Sequence, residues 1–540
     1  MSSHGKSYKH MIITAAGTAG SRVLGLFRDQ IIAGFFGTGG VAAAFIIAFQ
    51  IPNLFRRLLG EGALTAALMP AMTQERARGG DSRAFRFLNQ VVTRTAPLML
   101  VITAIFVAVA VAIALLPEEQ LAAFAEFFGA GTDVNRHRLA AWLTALCMPY
   151  MPMICIAAVF TAALNMLGKF TVTALSAVWM NLAMIFSLGV LGWHFGETAE
   201  ARVVWLCAGA LLGGALQLGV PAWALRRAGW RPRVDFSTTD SWADLKAMFL
   251  PAVIGAGVNQ FNVFITRFLA FSLDERALAV YYYANRVVEI PVGIFTVTVT
   301  TVVFPLLAKY AASGEMRELG STFAYGMRMI FAINIPATVG IIVLAQPLVC
   351  VFFEHGNFSA TDTELTVPVL CIFALAVPFY AVSGIAGRAF NALKDTKTQM
   401  RLGLVSFALN LVLAPLLGWF FQARGLATAN LVAAVVQCVA MLAILRRRER
   451  AFAAEPVAGA LAKVLFASAA MGAGTYFLWN FVCANLPGGG WSVLVAAFFI
   501  VVPAAVGFYF LLLKLLRFPE CDELLGLFLR KIFKNKKREK

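Results

Sequence analysis

The sequence has few charged residues for its length. Only 14% of its 540 residues are Asp, Glu, Lys or Arg, whereas 60% are hydrophobic, and the mean hydropathy is +0.78. A single soluble core of this length could not bury so much apolar surface, which excludes a soluble globular protein. The composition therefore predicts an all-α polytopic membrane protein.

The chain also lacks the residue patterns that metal sites and enzymes need. Its eight cysteines include no CxxC pair, and its five histidines lie at the N-terminus or near the predicted outer loops. We therefore predict no disulfide framework, no metal site and no cofactor. No GxxxxGK[ST] motif is present, and the apolar windows contain no histidine or paired carboxylate suited to act as a general base. An enzyme acting on lipid pyrophosphates is thus disfavoured.

Apolar windows of the length that a helix needs to cross a bilayer, roughly 20 residues, recur along the chain. We predict about fourteen membrane-spanning helices, with the second window bent rather than split into two short helices. The predicted windows are 11–36, 41–72, 91–116, 139–163, 170–194, 203–225, 246–271, 278–307, 322–345, 364–392, 401–421, 426–446, 458–482 and 491–516.

Lysine and arginine are distributed unevenly among the predicted loops. They concentrate on one side, for example in 226–233 and 446–450, whereas the alternate loops are comparatively acidic. Cytoplasmic loops carry an excess of Lys and Arg, so we predict that this side and both termini are cytoplasmic. The formal net charge of +17 is attributed to this topology and to attraction to anionic membrane lipids, with no nucleic-acid partner.

Two segments indicate an internal repeat. Pro152 and Pro378 are 226 positions apart, and so are Asn165 and Asn391. Duplicated halves of six helices each would share one orientation, with a pseudo-twofold axis along the membrane normal and a central cavity between two lobes. Chance recurrence of Pro and Asn in membrane helices is the alternative.

The predicted organisation follows from this repeat. It consists of an N-terminal lobe (1–225), a cytoplasmic linker (226–245), a C-terminal lobe (246–447), two extra helices (448–517) and a basic cytoplasmic tail (518–540). An apolar stripe in the tail predicts a helix that lies on the inner leaflet. It is formed by Leu524, Leu525, Phe528 and Ile532. A flexible basic tail is the alternative.

Several charged residues lie inside apolar windows, where a charge costs a few kcal/mol unless it faces a partner or a wet cavity. Arginines outnumber carboxylates there, and an arginine fork binds phosphate oxygens in a bidentate way. We therefore predict a cavity that binds an anion such as pyrophosphate; interface snorkelling or structural pairing is the alternative. The candidate substrate-binding residues are Arg22, Arg28, Asp29, Arg56, Arg57, Arg286 and Arg388. The candidate gate or salt-bridge partners are Glu61, Asn285 and Glu289. Glu61 is at i+4 from Arg57 and Glu289 at i+3 from Arg286, spacings at which helical side chains meet.

Four segments together resemble one transporter family. They are SRVLGLFRDQIIAGFFGTG (21–39), AFQIPNLFRRLLGEGALTAALMP (48–70), YYANRVVEIPVG (282–293) and GRAFNALKDTKT (387–398). They are similar to the MurJ (MviN) lipid II flippases of the multidrug/oligosaccharidyl-lipid/polysaccharide exporter superfamily. The likeness runs in order from the first predicted span to the twelfth.

The resemblance implies a transporter, not an enzyme, that acts in peptidoglycan biosynthesis and hence in cell shape. Such a protein moves lipid II, the undecaprenyl-pyrophosphate-linked precursor, from the inner to the outer leaflet of the bacterial cytoplasmic membrane by alternating access. The resemblance also implies that the two extra helices form a groove for the polyprenyl tail. The positions that match family cavity residues are Arg22, Arg28, Asp29, Arg56 and Arg286.

The resemblance further implies a monomer, with lipid II as partner and other cell-wall synthesis proteins as further candidates. Two departures from the family pattern make the cavity more positive: Ala43 and Ala44 stand where an acid is frequent, and Asn285 stands where Asp is frequent. They put in doubt a gate built on those acids. The remaining alternatives are an exporter of another polyprenyl-linked oligosaccharide and a multidrug antiporter, whose cavity would be acidic or aromatic.

Overall fold

The computed structural model describes residues 3–58, 64–127, 133–239, 241–291, 297–454, 457–487 and 490–526. All regular structure in these ranges is helical, and a π-helical turn, Ser187–Gly192, follows the eighth helix. The helices are α1 (Ser3–Phe36), α2 (Gly40–Phe55), α3 (Leu64–Ala114), α4 (Glu118–Phe127), α5 (Val134–Cys147), α6 (Tyr150–Met166), α7 (Phe170–Ala174), α8 (Ser176–Phe186), α9 (Trp193–Phe195), α10 (Ala199–Arg227), α11 (Ser241–Leu273), α12 (Ala277–Pro291), α13 (Val297–Ser313), α14 (Met316–Val343), α15 (Ala345–Phe353), α16 (Ala360–Ala392), α17 (Thr396–Arg448), α18 (Ala451–Ala454), α19 (Ala458–Asn485) and α20 (Trp491–Leu515).

Ten helical segments of the described chain are long and apolar enough to cross a membrane. The prediction of an all-helical, multi-span chain is therefore confirmed, whereas the count of about fourteen spans and the symmetry remain predictions. One of the ten segments, α17, contains two predicted windows, 401–421 and 426–446. A break in the helix at Gln422 (φ 50°) lies between these two windows. Whether a single bent span covers 41–72 depends on residues 59–63, which lie outside the described residues.

Helix α3 contains a similar break, at Gly79 and Gly80. The predicted windows leave 73–90 as a loop, but the structure continues the helix to these two glycines on both sides. Gly80 has a φ of 68°, which glycine adopts without the penalty that a Cβ imposes. The buried Glu75 carboxylate accepts a hydrogen bond from Arg83 Nε at 2.6 Å, so an ion pair joins the two arms of the turn.

Two helix ends at positions of the predicted repeat have the same backbone cap. After α6, the Lys169 amide donates to the Leu164 carbonyl at 2.9 Å, and after α16 the Asp395 amide donates to the Phe390 carbonyl at 2.9 Å. Both are the long hydrogen bond of a Schellman motif, and Gly168 and Lys394 take up the left-handed conformation that this motif requires. The same cap also follows α10, α13 and α20, at Gly229, Gly314 and Arg517, so it does not distinguish the repeat, and a duplication of whole lobes remains a prediction.

The chain divides into two compact units. Unit 1 comprises Met1–Ala279 and His355–Ser359, and unit 2 comprises Val280–Glu354 and Ala360–Lys540. One buried apolar cluster of unit 1 brings α3, α6 and α10 together, and a cluster of unit 2 brings together α14, α16 and α19. The predicted lobes separated by a linker at 226–245 remain a prediction.

The C-terminal tail begins inside the core of unit 2. Leu524 is only 1% exposed and belongs to the unit 2 cluster. Arg328 Nε donates to the buried Glu520 carboxylate at 2.6 Å, and the Tyr325 hydroxyl donates to Glu523 at 2.8 Å. The prediction that Leu524 faces the inner leaflet is therefore wrong, because this side chain packs against protein. Phe528 and Ile532 lie outside the described residues.

Helix α10 packs very closely against α8 through two glycines four residues apart. A Cβ atom added at Gly209 would lie 2.7 Å from the Ser187 Cβ, and one added at Gly213 would lie 2.8 Å from the Met180 Cα. Small residues at this spacing allow the backbones of membrane helices to approach each other. The contact explains how the α8–α10 pair forms within unit 1.

We expect Gly213→Val to lower the free energy of unfolding by about 1–3 kcal/mol, because the side chain must displace the α8 backbone. Thermal unfolding of the purified protein in one detergent measures the loss. Gly219→Val is the matched control, since a Cβ at Gly219 meets nothing within 4 Å. Equal stabilities of the two variants would contradict the close approach.

Candidate functional site

Arg28 and Asp29 form a buried ion pair in α1. Arg28 is 6% exposed and Asp29 is 0% exposed. Arg28 Nη2 and Nε both donate to Asp29 Oδ1, at 2.6 and 3.0 Å. Arg28 Nη1 donates to Asn181 Oδ1 of α8 at 3.0 Å, and Asn181 Nδ2 donates in turn to the Ser21 carbonyl at 3.1 Å. These groups form one polar network between α1 and α8.

This network fixes the position of the Arg28 guanidinium. A charge buried without a partner is very costly, and Asp29 compensates Arg28 at close range. Asn181 orients the other edge of the guanidinium. The sequence did not identify Asn181 as a site residue, although a polar residue inside the window 170–194 was an available signal.

The structure describes three further candidates of unit 1. Arg22 is exposed on α1. Arg56 lies in a π-helical turn after α2, where its Nε donates to Asn53 Oδ1 at 2.6 Å. Arg57 is half-buried in the same turn, and its predicted partner Glu61 lies outside the described residues.

In unit 2, the structure brings Arg286, Asn285 and Glu289 together on α12. Arg286 Nη1 donates to Glu289 Oε2 at 2.7 Å, and Asn285 Nδ2 donates to Glu289 Oε1 at 2.9 Å. The Arg286 guanidinium also lies 5.6 Å from the centre of the Tyr282 ring. The pair expected from the i, i+3 spacing is therefore present, while its role as a gate remains a prediction.

Arg388 is exposed on α16 and has an aromatic neighbour in the same unit. Its guanidinium lies 5.2 Å from the centre of the Phe304 ring, which α13 supplies. A cation over an aromatic face gains a modest attraction that leaves its hydrogen-bond donors available for an anion.

Two further buried arginines of unit 1 were missed. Arg267 of α11 donates through Nη1 to the buried Gln50 of α2; it lies within the window 246–271, so the signal of a charge in an apolar window was present. Arg136, predicted to lie in an outer loop, is buried in the first turn of α5, with its guanidinium 4.9 Å from the centre of the Phe271 ring. Unit 1 therefore holds more buried cationic side chains than the sequence analysis counted.

Among the described residues of unit 1, buried arginines outnumber buried carboxylates. Arg28, Arg136 and Arg267 are buried in unit 1, where Asp29 and Glu75 are the buried carboxylates, and Glu75 already pairs with Arg83. In the described part of the chain, no group of three or more His, Cys, Asp or Glu is arranged to hold a metal ion. Fixed guanidinium groups at low dielectric attract phosphate oxygens strongly.

Comparison with known proteins gives a family match along most of the chain. The family model described as lipid II flippase MurJ matches residues 32–489. A probable lipid II flippase MurJ of Rhizobium tropici is 32% identical over 465 residues, which cover 86% of this chain and 85% of that protein. The corresponding protein of Vibrio cholerae serotype O1 is 30% identical over 427 residues, covering 79% of this chain and 80% of the relative.

A solved structure shares the fold. A lipid II flippase MurJ in an inward closed conformation superimposes with a TM-score of 0.74 at 22% identity, covering 93% of this chain and 99% of that one. At this identity the likeness concerns the fold alone. The family likeness noted in the sequence motifs is thus confirmed by two independent comparisons.

Proposed function

Because the chain belongs to the lipid II flippase MurJ family, we propose that it moves lipid II from the inner to the outer leaflet of the cytoplasmic membrane. The match over residues 32–489 carries this proposal. Family membership and ten apolar helices make the chain a multi-pass protein of the bacterial inner membrane. The relatives are named flippases, in agreement with the prediction of a transporter instead of an enzyme.

The mechanism that we propose is alternating access with arginines along the headgroup path. While no substrate is bound, the Asp29 carboxylate offsets the free-energy cost of burying the Arg28 guanidinium. A diphosphate carries about two negative charges and can engage a guanidinium fork through two oxygens, so it competes effectively with a single carboxylate. Arg286 is more exposed and pairs with Glu289. It would exchange this carboxylate for the diphosphate of the substrate in the same way.

The lipid tail is assigned to the last two helices. α19 and α20 expose a series of large aromatic side chains to their surroundings, and a polyprenyl chain offers only apolar surface. We propose that these helices form the tail groove and that spans 1–6 and 7–12 form the two lobes of a monomer with both termini in the cytoplasm. The exposed aromatic residues are Phe466, Tyr476, Phe477, Phe481, Trp491, Phe499 and Phe508.

Two measurements test the transport function. Expression of this chain is expected to restore growth and rod or coccal shape to cells depleted of their own lipid II flippase. In vesicles, the purified protein is expected to expose labelled lipid II on the opposite leaflet, whereas vesicles without protein are not.

The vesicle assay also separates the alternatives. A polyprenyl diphosphate that carries an oligosaccharide without the peptide shares the anionic group and differs in the rest of the headgroup. Faster movement of that lipid than of lipid II would favour an exporter of another polyprenyl-linked glycan. Movement of organic cations and of neither lipid would contradict the proposal in favour of a multidrug antiporter.

A further inference from the structure

The segment 230–237, here called the strap, joins α10 to α11 without regular secondary structure and is anchored to α3. At its start, the buried Trp230 ring lies 5.0 Å from the Phe160 ring, and Trp230 Nε1 donates to Asn89 Oδ1 at 2.8 Å. Asn89 Nδ2 donates back to the Arg231 carbonyl at 3.0 Å. Both hydrogen bonds use one side chain of α3, so the first residues of the strap have a fixed position.

The end of the strap is held by its backbone. Arg94 Nη2 donates to the Phe236 and Ser237 carbonyls, at 2.5 and 3.0 Å, and the Asp235 amide donates to Thr93 Oγ1 at 3.1 Å. The Arg94 guanidinium also lies over the Trp242 ring, 4.7 Å from its centre. These contacts do not use the side chains of Arg231, Arg233, Val234 and Phe236, which are exposed.

The outward side chains combine positive charge with apolar surface. Arg231 and Arg233 are exposed, and after them Val234 is 79% and Phe236 70% exposed. Asp235 is the one acid of 226–239 in the sequence, and its carboxylate accepts hydrogen bonds from Ser237, at 2.9 Å from the amide and 2.6 Å from the hydroxyl. Those bonds hold the pKa of the Asp235 carboxyl below its ordinary value. The strap still carries a net positive charge.

The anchoring residues place the strap at the level where lipid-facing surface begins. Leu98, Val101 and Ile105 of α3 are large, apolar and exposed, as expected for the lipid-facing side of a membrane-spanning helix. Arg94 precedes Leu98 by four residues, which is about 6 Å along a helix. We therefore expect the strap at the boundary between the apolar interior and the headgroups, where cationic and apolar groups are both accommodated.

We propose that the strap is a binding site for anionic phospholipid, with Arg231 and Arg233 on the headgroup phosphates and Val234 and Phe236 inserted at the top of the acyl chains. This goes beyond lipid II transport, because it concerns the bulk lipid around unit 1. The charge bias of the loops predicts that the leaflet concerned is the cytoplasmic one. The chemistry is that of an interfacial membrane anchor, here built on a rigid loop instead of an amphipathic helix.

Photo-crosslinking tests the apolar half of the proposal. Benzoylphenylalanine is introduced at position 236 of the full chain, the protein is placed in vesicles of phosphatidylcholine and phosphatidylglycerol, and lipid adducts are counted after irradiation. Ser82 is the control position, since it is exposed but precedes Leu98 by sixteen residues, or about 24 Å of helix. We expect at least about tenfold more adduct at 236 than at 82, because the probe at 236 reaches acyl chains. Equal yields would overturn the insertion.

A charge variant tests the headgroup half. Arg231→Ala/Arg233→Ala is expected to retain phosphatidylglycerol on the order of tenfold more weakly, as judged by native mass spectrometry, with binding falling as salt rises. Arg446→Ala/Arg447→Ala removes two exposed arginines at the end of α17 and is the matched control. An equal loss in both variants would show a general effect of net charge and would overturn a site at the strap, as would no loss in either.

Discussion

Arg28→Ala is expected to abolish rescue of flippase-depleted cells and also to destabilise the protein. The substitution removes the guanidinium proposed to bind the diphosphate, and it breaks the ion pair with Asp29, which is 0% exposed. Stranding one member of a buried ion pair typically costs about 3–5 kcal/mol. Loss of growth alone would therefore not separate a binding role from a structural one.

A double substitution separates the two roles. In Arg28→Met/Asp29→Leu both charges are replaced by apolar groups, which for buried pairs is frequently neutral or stabilising. We expect the variant to stay folded, with a free energy of unfolding lower by about 1–3 kcal/mol because the buried Asn181 Oδ1 loses the Arg28 donor. We expect no lipid II transport, because the cation is gone. Arg28→Lys is expected to keep partial transport, since an ammonium supplies charge without the planar fork.

The matched control is an Arg–carboxylate pair elsewhere, of which Glu520 is buried and Arg328 is partly buried. Arg328 and Glu520 are joined at 2.6 Å in unit 2 and tie the tail to α14. Arg328→Met/Glu520→Leu is expected to transport lipid II at the original rate per folded molecule. Normal transport by the Arg28→Met/Asp29→Leu protein would show that the Arg28–Asp29 pair has only a structural role, and would contradict its proposed contact with the substrate.

Collapse of the membrane potential is expected to reduce the outward accumulation of lipid II by up to about three orders of magnitude. Moving about two negative charges outward across 100 mV, inside negative, releases about 4.6 kcal/mol, and each tenfold ratio corresponds to about 1.4 kcal/mol. If the arginines move with the substrate, the net charge transferred is smaller and the effect shrinks accordingly. ATP is not expected to matter, because the sequence contains no P-loop motif.

Vesicles with a potassium diffusion potential provide the measurement. The ratio of labelled lipid II between leaflets is followed at 100 mV and at zero potential, without sodium or proton gradients. The Arg28→Met/Asp29→Leu protein serves as the folded, inactive control. An identical leaflet ratio at both potentials would mean that the protein only equilibrates its substrate and that synthesis and consumption set the direction.

The positions of most helices could be predicted from the sequence because membrane insertion depends on local properties. A run of about 20 apolar residues predicts a membrane-spanning helix without information on the rest of the chain. The Arg286–Glu289 contact follows from helical spacing alone. The matched helix caps at Gly168 and Lys394 are local as well, since each hydrogen bond spans five residues. In contrast, the sequence did not predict that α3 continues on both sides of Gly79 and Gly80, because the charged residues around these glycines are typical of a loop.

The tertiary structure alone decided which polar groups meet. Asn181 lies 153 positions from Arg28, and Gln50 lies 217 positions from Arg267; no periodicity connects residues so far apart. Leu524 shows the same limit, because an apolar stripe fits a membrane surface and a protein core equally well. The sequence determined a chain of apolar helices with arginines inside them, since burial and charge are properties of single segments. Packing decided the partner of each arginine, since that depends on which helices come into contact.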